Sequence, residues 1–259
     1  MVFDTHIHTS FSSDCDMELI KGINAAKKLN LGLTITDHMD LNYPEKGKFV
    51  FNIEDFFKSY EPFRNEEVLL GIELGMDANY KNENEAIHKN YPFDQITGSQ
   101  HFLYNFDVYD SALYEGRAKE DVFRDYLLEV IKSLKTHSYI DTLAHIDFIC
   151  RYNPYEDKEL YYEDFSDYID EILKLCIEYN IAMEINTRRL GNDLSLRSLT
   201  EIYGRYKDLG GKYVTIGSDS HTENSIGFNL HKGLKLSEEL GLTPVYFKER
   251  KMHFIKKEL

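Results

Sequence analysis

The chain opens with the run Val2-Phe3-Asp4-Thr5-His6-Ile7-His8. Read as a strand, it sends residues i and i+2 to the same side, so His6 and His8 share a face at the strand's carboxyl end. Six further short runs, rich in Val, Ile, Leu and Thr, have the same character: residues 32–38, 68–75, 95–101, 142–147, 181–187 and 213–219. Between them lie segments with apolar residues three and four apart, such as 17–29, 122–134, 165–177 and 194–206, which predicts helices. Asp16 is a candidate cap for the first of these. Alternating strands and helices predict a mostly parallel sheet with helices outside. Seven such units predict a distorted (β/α)7 barrel, with an open doubly wound sheet as the alternative.

The 259 residues suit one domain spanning 1–259, with no Gly/Ser-rich linker, repeat or low-complexity segment. Apolar residues at 42% and charged residues at 29% describe a globular chain with a real core. A formal charge of −15 argues against nucleic acid or an anionic membrane as partner, because phosphate backbones demand a basic surface. The cysteines Cys15, Cys150 and Cys176 are odd in number and widely spaced. With no basic leader and no long apolar run, they point to the cytoplasm. Residues 243–259 are basic and partly apolar, fitting a short hairpin or a packed tail. Oligomeric state is not encoded in any recognisable pattern.

Active sites of parallel βα barrels form where the carboxyl ends of the strands converge. The expected strand ends deliver His6 and His8, then Asp37 and His38, Glu73, His101, His145 and Asp147, Glu184 and Asn186, and Asp219 and His221. Any one of these histidines reads well as an ordinary polar residue. Six histidines and several acids at one end would instead leave a polar cluster with nothing to satisfy it, and metal ions remove that cost. His88, His137, His231 and His253 fit no such pattern.

The ordered set Asp4-Thr5-His6-Ile7-His8-Thr9, Thr36-Asp37-His38, Gly71-Ile72-Glu73, Gly98-Ser99-Gln100-His101, Ala144-His145-Ile146-Asp147 and Ser218-Asp219-Ser220-His221 resembles the motifs of the PHP (polymerase and histidinol phosphatase) superfamily. The likeness extends over residues 4–221 and is greatest to the stand-alone histidinol-phosphate phosphatases. It implies a trinuclear centre of divalent zinc, iron or manganese. His6, His8, Glu73 and Asp219 would surround the first metal. Glu73 would bridge to a second, held with His101 and His145. Asp14, His38 and His221 would hold the third. Asp16 is an alternative to Asp14, and Cys15 beside it is expected to be a bystander.

The implied reaction is hydrolysis of a small phosphate monoester, with L-histidinol phosphate in histidine biosynthesis as the leading substrate. A metal-activated hydroxide on the Glu73-linked pair would attack phosphorus, with no side-chain nucleophile. Guanidinium groups suit bidentate phosphate binding. Arg151 and Arg189 are the preferred pair, and Arg188 is not separable from Arg189 by sequence. Asp37 and Asp147 are candidates to orient ligand imidazoles, with Asp37 also a candidate proton shuttle. Ser99 is a candidate phosphate donor. Tyr43, Tyr104, Tyr114 and Tyr152 are candidates to line a pocket for a cationic amino alcohol. Other small phosphates (nucleotide, sugar phosphate or phosphotyrosine) and a non-catalytic metal-binding module are the alternatives. The chain contains no GxSxG, GxxxxGK[ST] or GxGxxG motif, which disfavours serine hydrolases, P-loop kinases and dinucleotide-binding dehydrogenases.

Overall fold

The computed structural model describes residues 1–255. The elements run β1 (Val2–Ile7), α1 (Leu19–Lys28), β2 (Leu31–Ile35), β3 (His38–Met39), α2 (Ile53–Tyr60), β4 (Val68–Leu70), β5 (Ile72–Gly75), α3 (Lys81–Asn90) and β6 (Ile96–Ser99). They continue with β7 (Phe102–Leu103), β8 (Phe106–Asp107), α4 (Lys119–Thr136), β9 (Thr142–Leu143), α5 (Tyr162–Glu178), β10 (Ala182–Asn186), α6 (Asp193–Asp208), β11 (Tyr213–Gly217), α7 (Leu230–Glu239), β12 (Thr243–Lys248) and β13 (Lys251–Phe254).

This is a mixed α/β fold around a central, mostly parallel sheet. One sheet has the order β1-β2-β4 and the other β13-β12-β11-β10-β9-β6-β5-β3. Within these two sheets only β12 and β13 pair antiparallel. The strands do not join in one continuous ladder, so hydrogen-bonded pairing does not close them into a ring. β1 meets the end of β11 through a single parallel bridge between Ile7 and Ser220. Around it, Asp219 N donates to His6 O at 2.8 Å and His8 N to Ser220 O at 2.8 Å.

Two expected strands are each divided in two. Gly71 separates β4 from β5, so β4 pairs with β2 in one sheet and β5 pairs with β3 and β6 in the other. Gly71 N donates to Ile35 O at 2.7 Å. A Cβ at Gly71 would lie 2.9 Å from Gln95 O and 3.0 Å from Ile35 O, so only glycine fits where the two sheets part.

The helices form where the apolar spacing predicts them, but α1 starts later than expected. Glu18 occupies its N-cap position without a side-chain bond, so Asp16 does not cap it. Three further helices lie between the strands. α3 is polar almost throughout, with only Asn84 and Ile87 buried, whereas α2 and α7 bury apolar residues at helical spacing. The sheet interior is aliphatic: Leu33, Ile35, Leu70, Ile72, Ile96, Ile185, Val214 and Ile216 are all inaccessible to solvent. Burial of such side chains is the main favourable contribution to folding.

The basic C-terminal stretch forms the β12–β13 hairpin, and its last residues, 256–259, lie outside the described residues. The hairpin turn is tied under the sheet by Asp94, whose Oδ1 accepts from Glu249 N at 2.8 Å. Among the described residues, no helix is long and apolar enough to cross a membrane.

Candidate metal centre

Glu73 on β5 stands at the middle of the histidine cluster. Its Oε1 lies 3.0 Å from His145 Nε2 and 3.3 Å from His101 Nε2. Its Oε2 lies 2.8 Å from His38 Nδ1, 3.4 Å from His6 Nε2 and 3.5 Å from His8 Nε2. The two carboxylate oxygens thus face two different sets of imidazoles. Burial opposes ionisation of Glu73, but His6, His38 and His101 outweigh it and hold the carboxyl well below its usual range. Asp219, at the end of β11, completes the first set. Its Oδ1 lies 3.3 Å from His8 Nε2 and 3.9 Å from His6 Nε2. Its φ of +55° turns the chain out of the strand, a region that Asp enters more easily than β-branched residues do.

The rings are held by partners on their other nitrogens. His6 Nδ1 lies 2.7 Å from Glu184 Oε1, His101 Nδ1 lies 2.9 Å from Asp40 Oδ1, and His8 Nδ1 lies 3.1 Å from Ser12 Oγ. In each case Nε2 is left turned toward Glu73. Carboxylates and hydroxyls in this position fix the tautomer and raise ligand basicity. Ser12 Oγ in turn donates to Asp37 Oδ1 at 2.7 Å and accepts from His38 N at 3.0 Å. Asp4 fastens the floor. It accepts from Ser218 N at 2.8 Å and Gly227 N at 2.9 Å, tying β1 to the segment that carries Asp219 and His221.

Asp14 Oδ2 lies 3.2 Å from His221 Nε2 and 3.7 Å from His38 Nε2, at the more open side of the cluster. Its side chain is 39% exposed. Asp16 is exposed and does not line the cavity. Cys15 is buried, donates to His221 O at 3.2 Å, and has its thiol pushed up to about 11 by burial. Its sulfur is engaged by a backbone carbonyl, and Cys15 does not line the cavity.

Among the described residues, four buried atoms of the cluster have no hydrogen-bond partner: Glu73 Oε2, His38 Nδ1, His101 Nε2 and His145 Nδ1. Buried polar atoms left unpaired cost about 1–3 kcal/mol each. The sets His6/His8/Glu73, Glu73/His101/His145 and His8/His38/His221 each bring three potential ligand atoms within 4.8 Å of one another. Nitrogen and carboxylate donors without thiolate suit zinc, iron or manganese, so the residues present fit divalent ions of that kind.

A cavity of about 370 Å³ opens over the cluster. Arg151 and Arg188 line it with Tyr43, Tyr109, Phe148 and Tyr152. Arg151 Nη1 donates to Asp219 Oδ2 at 2.6 Å and lies over the Phe148 ring at 5.0 Å. Arg188 is 44% exposed and donates to Asp219 O at 3.3 Å.

Several sequence expectations are corrected. Arg189 does not face the cavity, because Asp147 and Glu159 hold its guanidinium from the other side. Asp147 therefore pairs with Arg189 and orients no imidazole. Asp37 is sealed from solvent, does not line the cavity, and accepts from Thr9 N, Thr9 Oγ1 and Ser12 Oγ at 2.6–2.7 Å. Through Ser12 it is linked to the His8 ring and to the His38 backbone N. Ser99 is also sealed, and its hydroxyl donates to Glu73 Oε1 at 2.5 Å rather than toward the cavity. Tyr43 and Tyr152 line the cavity as expected, whereas Tyr114 is in the core and Tyr104 projects outward. His88, His137, His231 and His253 lie outside the cavity lining.

The positioning roles of Asp40 and Ser12 were missed, and Glu184 was placed at a strand end without a role. Asp40 follows His38 by two residues, the same spacing that joins His6 to His8, and that was the available signal.

The PHP domain family model matches residues 4–188. The chain is 48% identical over 254 residues to a Clostridium acetobutylicum protein named "Probable histidinol-phosphatase", covering 98% of this chain and 100% of that one. It is 28% identical to a histidinol-phosphatase of Lactococcus lactis, covering 92% and 91%. A Lactococcus lactis histidinol phosphate phosphatase structure, complexed with zinc, L-histidinol and phosphate, superposes with a TM-score of 0.91 at 27% identity. It covers 97% of this chain and 98% of that one. The matched stretch runs from Asp4 to Arg188 and includes most of the strand-end cluster, and the chain belongs to the PHP-domain family.

Proposed function

We propose that this chain is a metal-dependent phosphomonoesterase that hydrolyses L-histidinol phosphate to L-histidinol and phosphate in histidine biosynthesis. The observation that carries the reading is Glu73, whose two oxygens face separate sets of buried imidazole nitrogens, His38 Nδ1 and His101 Nε2 among them without a hydrogen-bond partner, beneath a cavity lined by two arginines. The relatives and the ligands of the Lactococcus lactis structure support the substrate.

On this reading three divalent ions bind. His6, His8, Glu73 and Asp219 hold the first, Glu73, His101 and His145 the second, and Asp14, His38 and His221 the third. Bound there, the ions lower the pKa of water toward neutrality and offset charge on the phosphoryl group. Arg151, fixed by Asp219 and stacked on Phe148, and the more exposed Arg188 hold the phosphate oxygens. Glu184, Asp40 and Ser12 hold the imidazoles in the tautomer that leaves Nε2 free. The fold is read as one domain, a distorted seven-unit barrel in which β1 meets the segment after β11 at the Ile7–Ser220 bridge. The place of action is the cytoplasm, and the partner is a small phosphate ester rather than a nucleic acid.

Phosphate release tests the reading across a panel of L-histidinol phosphate, nucleotides, sugar phosphates and phosphotyrosine, before and after chelation. Turnover of L-histidinol phosphate should exceed that of the others, vanish with chelator and return with metal. A metal-loaded chain that releases no phosphate from any of them, or a metal-free chain that is fully active, refutes it.

A further inference from the structure

Five carboxylates line the cavity: Asp14, Asp40, Glu73, Asp107 and Asp219. Four of them face cationic or imidazole partners: Asp14 with His221, Asp40 with His101, Glu73 with His145, and Asp219 with Arg151. Asp107 differs. It accepts from Tyr109 N at 2.8 Å through Oδ1, and among the described residues its side chain has no other hydrogen bond and no ion pair. Lys48, a cation in the same wall, is engaged by Glu45 at 3.1 Å. Burial disfavours the charged form of Asp107, the imidazoles of His101 and His38 act on it only from beyond ion-pair distance, and a cationic ligand group would supply the missing close partner.

The position of Asp107 is fixed relative to the metal-ligand cluster. In the β7–β8 hairpin Asp107 pairs with Phe102, the residue after His101, and Val108 N donates to His101 O at 2.9 Å. Beside it, the rings of Tyr109 and Tyr152 meet edge to face at 5.1 Å and give the cavity an aromatic rim. Such rings suit a planar imidazole and tolerate a neighbouring cation. In L-histidinol phosphate the amine is borne on the carbon next to the ester carbon, so it stays closer to the phosphate than the ring does.

We propose that Asp107 binds the substrate ammonium group and thereby selects amino-alcohol phosphates over neutral phosphate esters, with the aromatic rim receiving the imidazole. The proposal rests on the histidinol-phosphate reading of the site. It makes Asp107 a specificity residue that touches substrate but takes no part in bond breaking.

The test compares L-histidinol phosphate with imidazolylpropyl phosphate, which lacks only the amine, in wild type, Asp107→Asn and Asp107→Glu. Wild type should favour the amine by about 10- to 100-fold in kcat/KM, the range expected of one charge-assisted hydrogen bond. Asp107→Asn should bring that preference to within about 3-fold. It should do so by raising KM for L-histidinol phosphate, with kcat, metal content and turnover of the deaminated ester unchanged. Asp107→Glu should recover part of the preference. An unchanged preference in Asp107→Asn, or an equal loss on both substrates, overturns the proposal. A wild-type, metal-loaded enzyme inert toward L-histidinol phosphate defeats the underlying reading instead, and this proposal falls with it.

Discussion

The guanidinium of Arg189 is held by Asp147 and Glu159 with a side chain only 14% exposed, while that of its neighbour Arg188 lies open to the cavity. Both follow β10 in a short helical turn, and adjacency in sequence says nothing about which one turns inward. The environments predict opposite phenotypes. Arg188→Ala should raise KM for the phosphate ester about 10-fold while leaving stability nearly unchanged. Arg189→Ala should leave KM unchanged and lower unfolding free energy by about 3 kcal/mol, because two buried carboxylates lose their counter-charge. Steady-state kinetics and urea denaturation of the two variants check this, and a KM effect confined to Arg189→Ala would reverse the assignment. The same principle explains Ser99. Its type and spacing fit a phosphate donor, but its hydroxyl is already bound to Glu73.

At the scale of elements, the division of β4 from β5 depends on one residue. Gly71→Ala places a methyl group against the carbonyls of Gln95 and Ile35 and should lower stability by about 2 kcal/mol in denaturant unfolding. An unchanged midpoint would show that the two sheets part for another reason. The C-terminal hairpin offers a pH-dependent contact. Arg250 Nη1 donates to His88 Nδ1 at 2.7 Å, and the imidazole stacks on Tyr139 at 4.7 Å between centroids. Burial, then Arg250, lower the His88 pKa below 6.5. The unfolded chain therefore takes up the proton more readily, so this contribution is complete above about pH 6.5 and is lost as pH falls below it. Solvent screening keeps it under about 1 kcal/mol. His88→Gln should flatten the part of the Tm decline between about pH 7 and pH 5.5 that this residue causes. An unaltered pH profile would remove His88 from the account.

For the molecule as a whole, the buried cluster ties metal occupancy to folding. The candidate ligands come from β1, β3 and β5 and from the segments after β1, β6, β9 and β11, so ions bound there would hold both sheets. Binding to the native state alone adds about 3 kcal/mol at a hundredfold excess over Kd. Chelation should therefore lower Tm by roughly 5–10 °C for a chain of this size, reversibly on metal addition. A Tm indifferent to chelator would mean that the cluster satisfies itself without ions. The net charge of −15 does not oppose a phosphate ligand, since the local field of arginines and bound cations acts at the site rather than the protein's average.

The residue types and order of the cluster were legible in the sequence because strand geometry is local. The period-two alternation puts His6 with His8, and short aliphatic runs ending in His or Asp mark where each strand delivers a side chain. The α/β class follows from the same local periodicities. Tertiary structure alone decided the rest. It turned Arg189 and Asp147 away from the cavity, sealed Asp37 and Ser99 beneath it, brought Asp14 rather than Asp16 to His221, and left the sheet joined at Ile7 and Ser220 by one bridge. Each of those outcomes depends on which distant group already occupies a hydrogen bond or a volume, and no local period in the chain records that.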